Sequence, residues 1–326
     1  MVPVPDFTSC PDANGDARIA RRGLEWRASG ARTTAMAHEQ RIGMIGVGLM
    51  GHGIASSLLR HGLPLSFLDH PGNRPTADLI AAGARAVASG AALAGVSDVV
   101  ILCVTGSPEV EDSVFRDDGV LAGLRPGSVV IDCSTAMPSS TVRVAAAIEA
   151  AGGRFMDAPM TRTPKEAAEG KLNLIVGSDP ALFAECRPLL ARFAENIVHA
   201  GPVGSGHALK LLHNFVSLGF AAVLAEATAC ARRAGVDTDV LLQVLAKGGG
   251  GGVVFERLRP FIEVRDDSGF RFTIANALKD MGYYTAMAGE RGAASVTAEA
   301  VRETYARAAR KHGGSTVPAL IDLLSS

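Results

Sequence analysis

Cysteine is scarce and unpatterned in this chain. Five occur in 326 residues (Cys10, Cys103, Cys133, Cys186 and Cys230), and none forms a C-x-x-C pair. With no histidine cluster at ligand spacing either, no metal site is expected. Three of the five lie in apolar strand or helix patterns, where cysteine acts as a small hydrophobe. Reduced thiols in a cytoplasmic protein are the simplest reading. An excess of one charge is also missing: 32 Lys and Arg stand against 33 Asp and Glu, a net charge of −1. A nucleic-acid or membrane-surface partner would need a basic excess, so neither is expected. No secretory signal is evident, because residues 1–40 are polar, rich in Arg, Ala and Gly, and have no apolar core. Asp6, Asp12, Asp16 and Glu25 argue against a transit peptide. Met36 stands just before AHEQRIGMIG, and residues 1–40 are expected to be a disordered or non-native extension. The greasiest long run, 211–225, is broken by His213, Asn214 and Ser217, which argues against a membrane span.

What is present is a globular composition, 48% hydrophobic and 20% charged, long enough for two domains. From 41 to about 200, short β-rich runs (RIGMIG, LSFLD, DVVILCV, SVVIDCS, RFMDAP, LNLIVGS) alternate with Ala- and Leu-rich helical segments. Such alternation predicts a mostly parallel sheet with helices on both faces. From about 204 the strand signals stop, and 205–234, 237–246, 253–262, 274–290, 296–311 and 316–324 read as helices. The expected architecture is an α/β nucleotide-binding domain over 41–203 followed by an all-α domain over 204–326, joined at GPVGSGH. GGGGG at 248–252 cannot hold a helix and reads as a flexible connection, either a plain linker or a loop that approaches the ligand.

RIGMIGVGLMGHGIASSLLRHG carries Gly46-Val47-Gly48-Leu49-Met50-Gly51 between a strand and an amphipathic helix. Gly46 permits a tight turn, Gly48 lets the backbone approach a pyrophosphate, and Gly51 lets helix and strand pack closely. The helix N-terminus offers unpaired N–H groups to the phosphates. Asp69 ends the next strand, where an acid grips the adenine ribose 2′-OH and repels a 2′-phosphate. NAD is therefore the expected cofactor, with NADP second because Arg74 is close by.

Two further strand edges carry polar groups. VVIDCSTAMP ends in Ser134 and Thr135, which could face a ligand crevice or cap the following helix. FMDAPMTRTPKEAAEG places Arg162 between Thr161 and Thr163, where it could clamp an anion or lie on the surface. In HALKLLHNFVSLGF, Lys210, His213, Asn214 and Ser217 recur at i, i+3, i+4 and i+7, one face of a mostly apolar helix. A lysine in such a setting needs a partner or a function. It can hold a proton for a substrate oxygen while its neighbours fix the substrate's polar groups. A hydrogen-bonded domain interface is the alternative.

In order along the chain, IGMIGVGLMG, DCSTAMP, DAPMTRTPKEAAEGKLNLIVG, LKLLHN and FRFTIANALKD resemble motifs of the β-hydroxyacid dehydrogenase family, over about 41–325. That resemblance implies a Rossmann domain with a 6-phosphogluconate dehydrogenase-like helical domain, and a homodimer or homotetramer formed through the helical half. It implies that Lys210 protonates a carbonyl oxygen as hydride arrives from the nicotinamide. Ser134 and Thr135 would touch substrate carboxylate and cofactor, with Val104, Thr105 and Lys279 beside the cofactor and Thr163 and Asn214 beside the substrate. The T-R-T variant resembles the sulfolactaldehyde reductase branch, which places Arg162, His213 and Ser217 around an anionic tail. K-L-L-H-N is also similar to 6-phosphogluconate dehydrogenase. The expected activity is NAD(P)-dependent interconversion of a small anionic 3-hydroxy acid and its semialdehyde. The alternatives are oxidative decarboxylation of a sugar-acid-like 3-hydroxy acid and a non-catalytic dinucleotide-binding protein.

Overall fold

A computed structural model describes residues 40–325, so Cys10, Met36 and all but the last residue of the expected extension lie outside the described residues. Nine strands form one sheet: β1 (Ile42–Ile45), β2 (Leu65–Leu68), β3 (Arg85–Val87), β4 (Val99–Leu102), β5 (Val129–Asp132), β6 (Arg154–Asp157), β7 (Met160–Thr161), β8 (Leu172–Gly177) and β9 (Ala194–Gly201). Eight helices are interleaved with them: α1 (Gly51–Arg60), α2 (Ala77–Ala81), α3 (Gly90–Val96), α4 (Ser107–Phe115), α5 (Val120–Gly123), α6 (Pro138–Ala150), α7 (Pro164–Glu169) and α8 (Pro180–Leu190). Six more follow: α9 (Ser205–Arg233), α10 (Thr238–Lys247), α11 (Val253–Val264), α12 (Ile274–Glu290), α13 (Val296–His312) and α14 (Leu320–Ser325).

The strand order is β3-β2-β1-β4-β5-β6-β8-β7, parallel from β3 through β6, with β9 beside β8. Every residue of β1, β4 and β5 is buried, as expected of central parallel strands covered on both faces. The two faces carry separate cores, one around Met44, Ile54 and Phe67, the other around Leu102, Val130 and Ile148.

All six strands read from sequence are present, but the sheet holds three more and reverses once. β8 runs antiparallel to β6 and β7. The missed strands are short or polar: β3 has only three residues, β7 two, and in the AENIVH stretch of β9 only Ala194 is buried. None has the apolar run that marks a buried strand.

α9 is 29 residues long, about 44 Å at 1.5 Å per residue. It is the spine of the third core, against Phe255, Ile274, Met281 and Tyr305. Among the described residues it is also the helix long and apolar enough to cross a membrane, yet Lys210 and Asn214 are buried on it inside the protein. Its first turn has no cap from its own sequence, since Gly204 holds the N-cap position at φ 89°. The cap comes from the sheet instead. The Asp157 carboxylate at the end of β6 accepts from the Gly204 N–H at 2.7 Å and the His207 N–H at 2.8 Å.

Candidate active site

The loop between β1 and α1 is built by close approach. Gly46 has φ 89°, a conformation that L side chains rarely adopt. A Cβ on Gly51 would sit 1.9 Å from the Gly46 carbonyl oxygen, so only glycine lets α1 start there. A Cβ on Gly48 would meet nothing nearer than 3.9 Å, because Gly48 faces open space. Gly46, Gly48, Leu49 and Met50 line a cavity of about 1220 Å³, with Asp69, Val104 and Thr105 further along its wall. Val47 and Gly51 stand behind that wall, both buried. Arg74 does not line this cavity; its N–H donates to the Val47 carbonyl. Asn73, which sequence reading passed over, ties the loop to β2: it accepts from the Val47 N–H at 3.3 Å and donates to the Leu68 carbonyl at 2.9 Å. These features fit a dinucleotide: an exposed glycine face, an unblocked N-terminus of α1 and a carboxylate at the ribose position. The cavity exceeds the ~300–1,000 Å³ of an ordinary small-ligand pocket, leaving room for a second, smaller molecule.

The polar stripe of α9 forms the opposite wall. Lys210, His213, Asn214 and Ser217 all line the same cavity, together with Ser134 and Thr135 from the end of β5. Lys210 is 9% exposed, and its ammonium donates to the Met160 carbonyl at 2.7 Å. Burial pushes its pKa down to about 8; Lys279 and Arg257 push the same way, while Asp280 opposes them. The Asn214 amide donates to Asp280 at 2.6 Å, and its oxygen faces the His213 Nδ1 at 3.0 Å. Burial, with help from Lys210 and Arg257, lowers the His213 pKa, which leaves the ring neutral at neutral pH. The Ser217 hydroxyl donates to the Asn214 carbonyl at 3.4 Å.

α12 closes the site. Lys279 donates to the Thr105 carbonyl at 2.5 Å and pairs with Asp280 at 2.9 Å. The Tyr283 hydroxyl accepts from the Ser107 N–H at 3.0 Å. These contacts clasp the helical half to the loop after β4. Ser134 Oγ accepts from the Val104 N–H at 3.0 Å, whereas the Thr135 hydroxyl takes no protein partner among the described residues.

Two residues that the sequence places beside the substrate, Arg162 and Thr163, already have partners in the protein. Arg162 lines the cavity, but its guanidinium already has partners: the Glu195 carboxylate and the Lys171 carbonyl, each at 2.5 Å. Its backbone sits at φ 83°. Thr163 also lines the cavity, and it caps α7 in a capping box with Glu166. The five glycines at 248–252 join α10 to α11 and are not part of the cavity wall. The first turns of α11 are, through Val253, Val254 and Arg257. Nothing local in the sequence distinguishes Arg257 from Arg259 on the same helix or Arg265 at its end, so the sequence alone does not single it out. Cys103 is in the wall too, but burial pushes its thiol up to about 12, so it is no nucleophile.

Comparison with known proteins agrees with this geometry. Residues 41–201 match the family model described as the NAD binding domain of 6-phosphogluconate dehydrogenase. Residues 204–324 match the one described as NAD-binding of NADP-dependent 3-hydroxyisobutyrate dehydrogenase. The chain is 34% identical to an NAD-dependent L-serine dehydrogenase of Pseudomonas aeruginosa, over 70% of this chain and 76% of that protein. It is 30% identical to the 2-(hydroxymethyl)glutarate dehydrogenase of Eubacterium barkeri, over 74% and 80%. A solved structure of Mycobacterium tuberculosis 3-hydroxyisobutyrate dehydrogenase with L-serine superposes with a TM-score of 0.79 at 26% identity, covering 88% of this chain and 99% of that one. With a Rossmann half that cradles a dinucleotide and a helical half that brings one buried lysine to it, the chain belongs to the β-hydroxyacid dehydrogenase family.

Proposed function

We propose that the protein is an NAD(P)-dependent dehydrogenase of small 3-hydroxy acids, interconverting the CH2OH group and the aldehyde, with Lys210 as the acid and base. One observation carries this reading: a single buried ammonium, poised near pKa 8, stands in the wall of a cavity that also holds the nucleotide loop. When bound, the dinucleotide accepts or supplies the hydride. Lys210 handles the proton. It gives one to the carbonyl oxygen in reduction and takes it from the hydroxyl in oxidation, and its charge stabilises the developing alkoxide. The Met160 carbonyl fixes the ammonium, and Asp280 orients Asn214. Thr135 offers a free hydroxyl to the substrate carboxylate or the cofactor.

The relatives named above suggest the substrate's common part. L-serine, 3-hydroxyisobutyrate and 2-(hydroxymethyl)glutarate are all 3-hydroxypropanoates that differ at carbon 2. All three relatives are named for dehydrogenation, none for decarboxylation. Asp69 in the cavity wall, with Arg74 outside it, favours NAD over NADP. We further propose that the enzyme works in the cytoplasm as a homo-oligomer. The exposed stripe of Leu209, Leu212, Val216 and Val223 on α9 would be covered by a second copy, and light scattering would read its mass. The activity is tested by following reduction of NAD+ and NADP+ with those three acids. Turnover of at least one, with NAD+ preferred, is the expected result; no turnover of any despite NADH binding would sink the reading.

A further inference from the structure

We infer that Arg257 receives a second carboxylate, carried on carbon 2 of the substrate, so that the enzyme is built for a dianionic 3-hydroxy acid. The inference rests on the hydroxy-acid reading above and adds the tail. Arg257 lies on α11 and lines the same cavity as Lys210, His213, Asn214 and Ser217. Among the described residues its guanidinium has no carboxylate or carbonyl partner, although the neighbouring arginines have carboxylates: Arg259 on α11 pairs with Glu256, and Arg265, which caps the helix end, with Asp322. Arg162, the tail clamp expected from sequence, is partnered by Glu195. Arg271 in the same wall is also without a carboxylate partner but is exposed, so Arg257, half-buried, is the arginine placed to meet an anion inside the cavity at this end.

Charge balance points the same way. The substrate end of the cavity gathers four cations, Lys210, Lys279, Arg257 and the exposed Arg271, against one carboxylate, Asp280. Asp280 is itself shared by Lys279 and Asn214. The other acids of the wall, Asp69, Glu109, Asp112 and Asp118, follow β2 or lie on and just after α4, in the Rossmann half, where Asp112 and Asp118 are paired with Arg116. With the exposed Arg271 screened by solvent, an excess of two positive charges remains in the partly desolvated part of the pocket, and a ligand with two carboxylates cancels it. The field of Arg257 is already felt, since it lowers the pKa of both Lys210 and His213. A guanidinium also matches a carboxylate fork with two parallel hydrogen bonds. The 3-hydroxy acid's own carboxylate then remains for the Ser134–Thr135 edge, and the tail reaches α11.

The test separates binding from turnover. Isobutyrate and 2-methylglutarate lack the reacting hydroxyl and differ by one carboxylate-bearing arm. Both would be titrated by calorimetry into NAD+-saturated wild type, Arg257→Gln and Arg257→Lys. The expected result is that wild type prefers the dianion by at least ~10-fold, that Arg257→Gln removes most of that preference, and that Arg257→Lys keeps part of it. NADH affinity should stay the same in all three. Failure of wild type to bind the dianion more tightly, or a glutamine variant that keeps the preference or weakens both acids alike, would overturn the inference. Turnover of 3-hydroxyisobutyrate and 2-(hydroxymethyl)glutarate by the same proteins distinguishes the two readings. An Arg257-dependent preference without turnover leaves Arg257 standing and removes the dehydrogenase assignment. Equal turnover of both acids, unaffected by Arg257→Gln, does the reverse.

Discussion

The two walls of the cavity are made in opposite ways. The nucleotide wall is mostly backbone, with glycines where side chains would collide and the start of α1 presented end-on. The substrate wall is mostly side chains, brought from the end of β5, α9, α11 and α12. A backbone cradle recognises what every dinucleotide shares, and a side-chain wall recognises what one substrate has. Damage to the first should therefore appear as lost binding and damage to the second as lost chemistry.

Lys210→Ala should give the largest effect, a fall in kcat of about 10²–10⁴-fold with NADH affinity unchanged. Gly51→Ala should give the mirror result. Its methyl cannot fit against the Gly46 carbonyl without moving the loop, at a cost of roughly 1–3 kcal/mol. NADH titration should show affinity weaker by about 10-fold or more. If Gly51→Ala lowered kcat alone, the division between the walls would be wrong.

A smaller effect comes from pH. Reduction needs the Lys210 ammonium, so its kcat/KM should be flat below pH 8 and fall above it. Oxidation needs the free amine, so its kcat/KM should rise up to pH 8 and level off. Arg257→Gln removes a like charge and should move the break to higher pH. Asp280→Asn removes the opposing carboxylate and should move it lower. Parallel pH–rate profiles of the three proteins check the sign of each shift. Smallest of all should be Asp157→Ala, which removes the cap of α9 and should cost about 1–2 kcal/mol in chemical denaturation.

The same contrast explains what the sequence could reveal. The glycine loop is contiguous, and its spacing follows from the geometry of one turn, so Gly46, Gly48 and Gly51 were readable as a unit. The α9 stripe was readable because helical periodicity puts Lys210, His213, Asn214 and Ser217 together. The partners from elsewhere in the chain were not readable. Asn73 braces Val47 from 26 residues away, and Glu195 occupies Arg162 from 33. Arg257 depends on how α11 is set against α9, and no local pattern reports that. The short strands β3 and β7 and the polar β9 escaped for a related reason: their place in the sheet comes from neighbours rather than from their own apolar content.

The end of β6 and the start of β7 each grip the first turns of α9. Asp157 holds the Gly204 and His207 amides, and three residues further on the Met160 carbonyl holds the Lys210 ammonium. By chain position Lys210 belongs to the helical half, but mechanically it is bolted to the sheet. α12 is also tied to the nucleotide half, through Lys279 and Tyr283, whereas Arg257 stands on α11, which packs against α9 in the helical core. The proton donor is thus anchored to the sheet and the proposed tail contact to the helical core, so exchange of one substrate for another requires remodelling of α11 and leaves the seat of the chemistry alone.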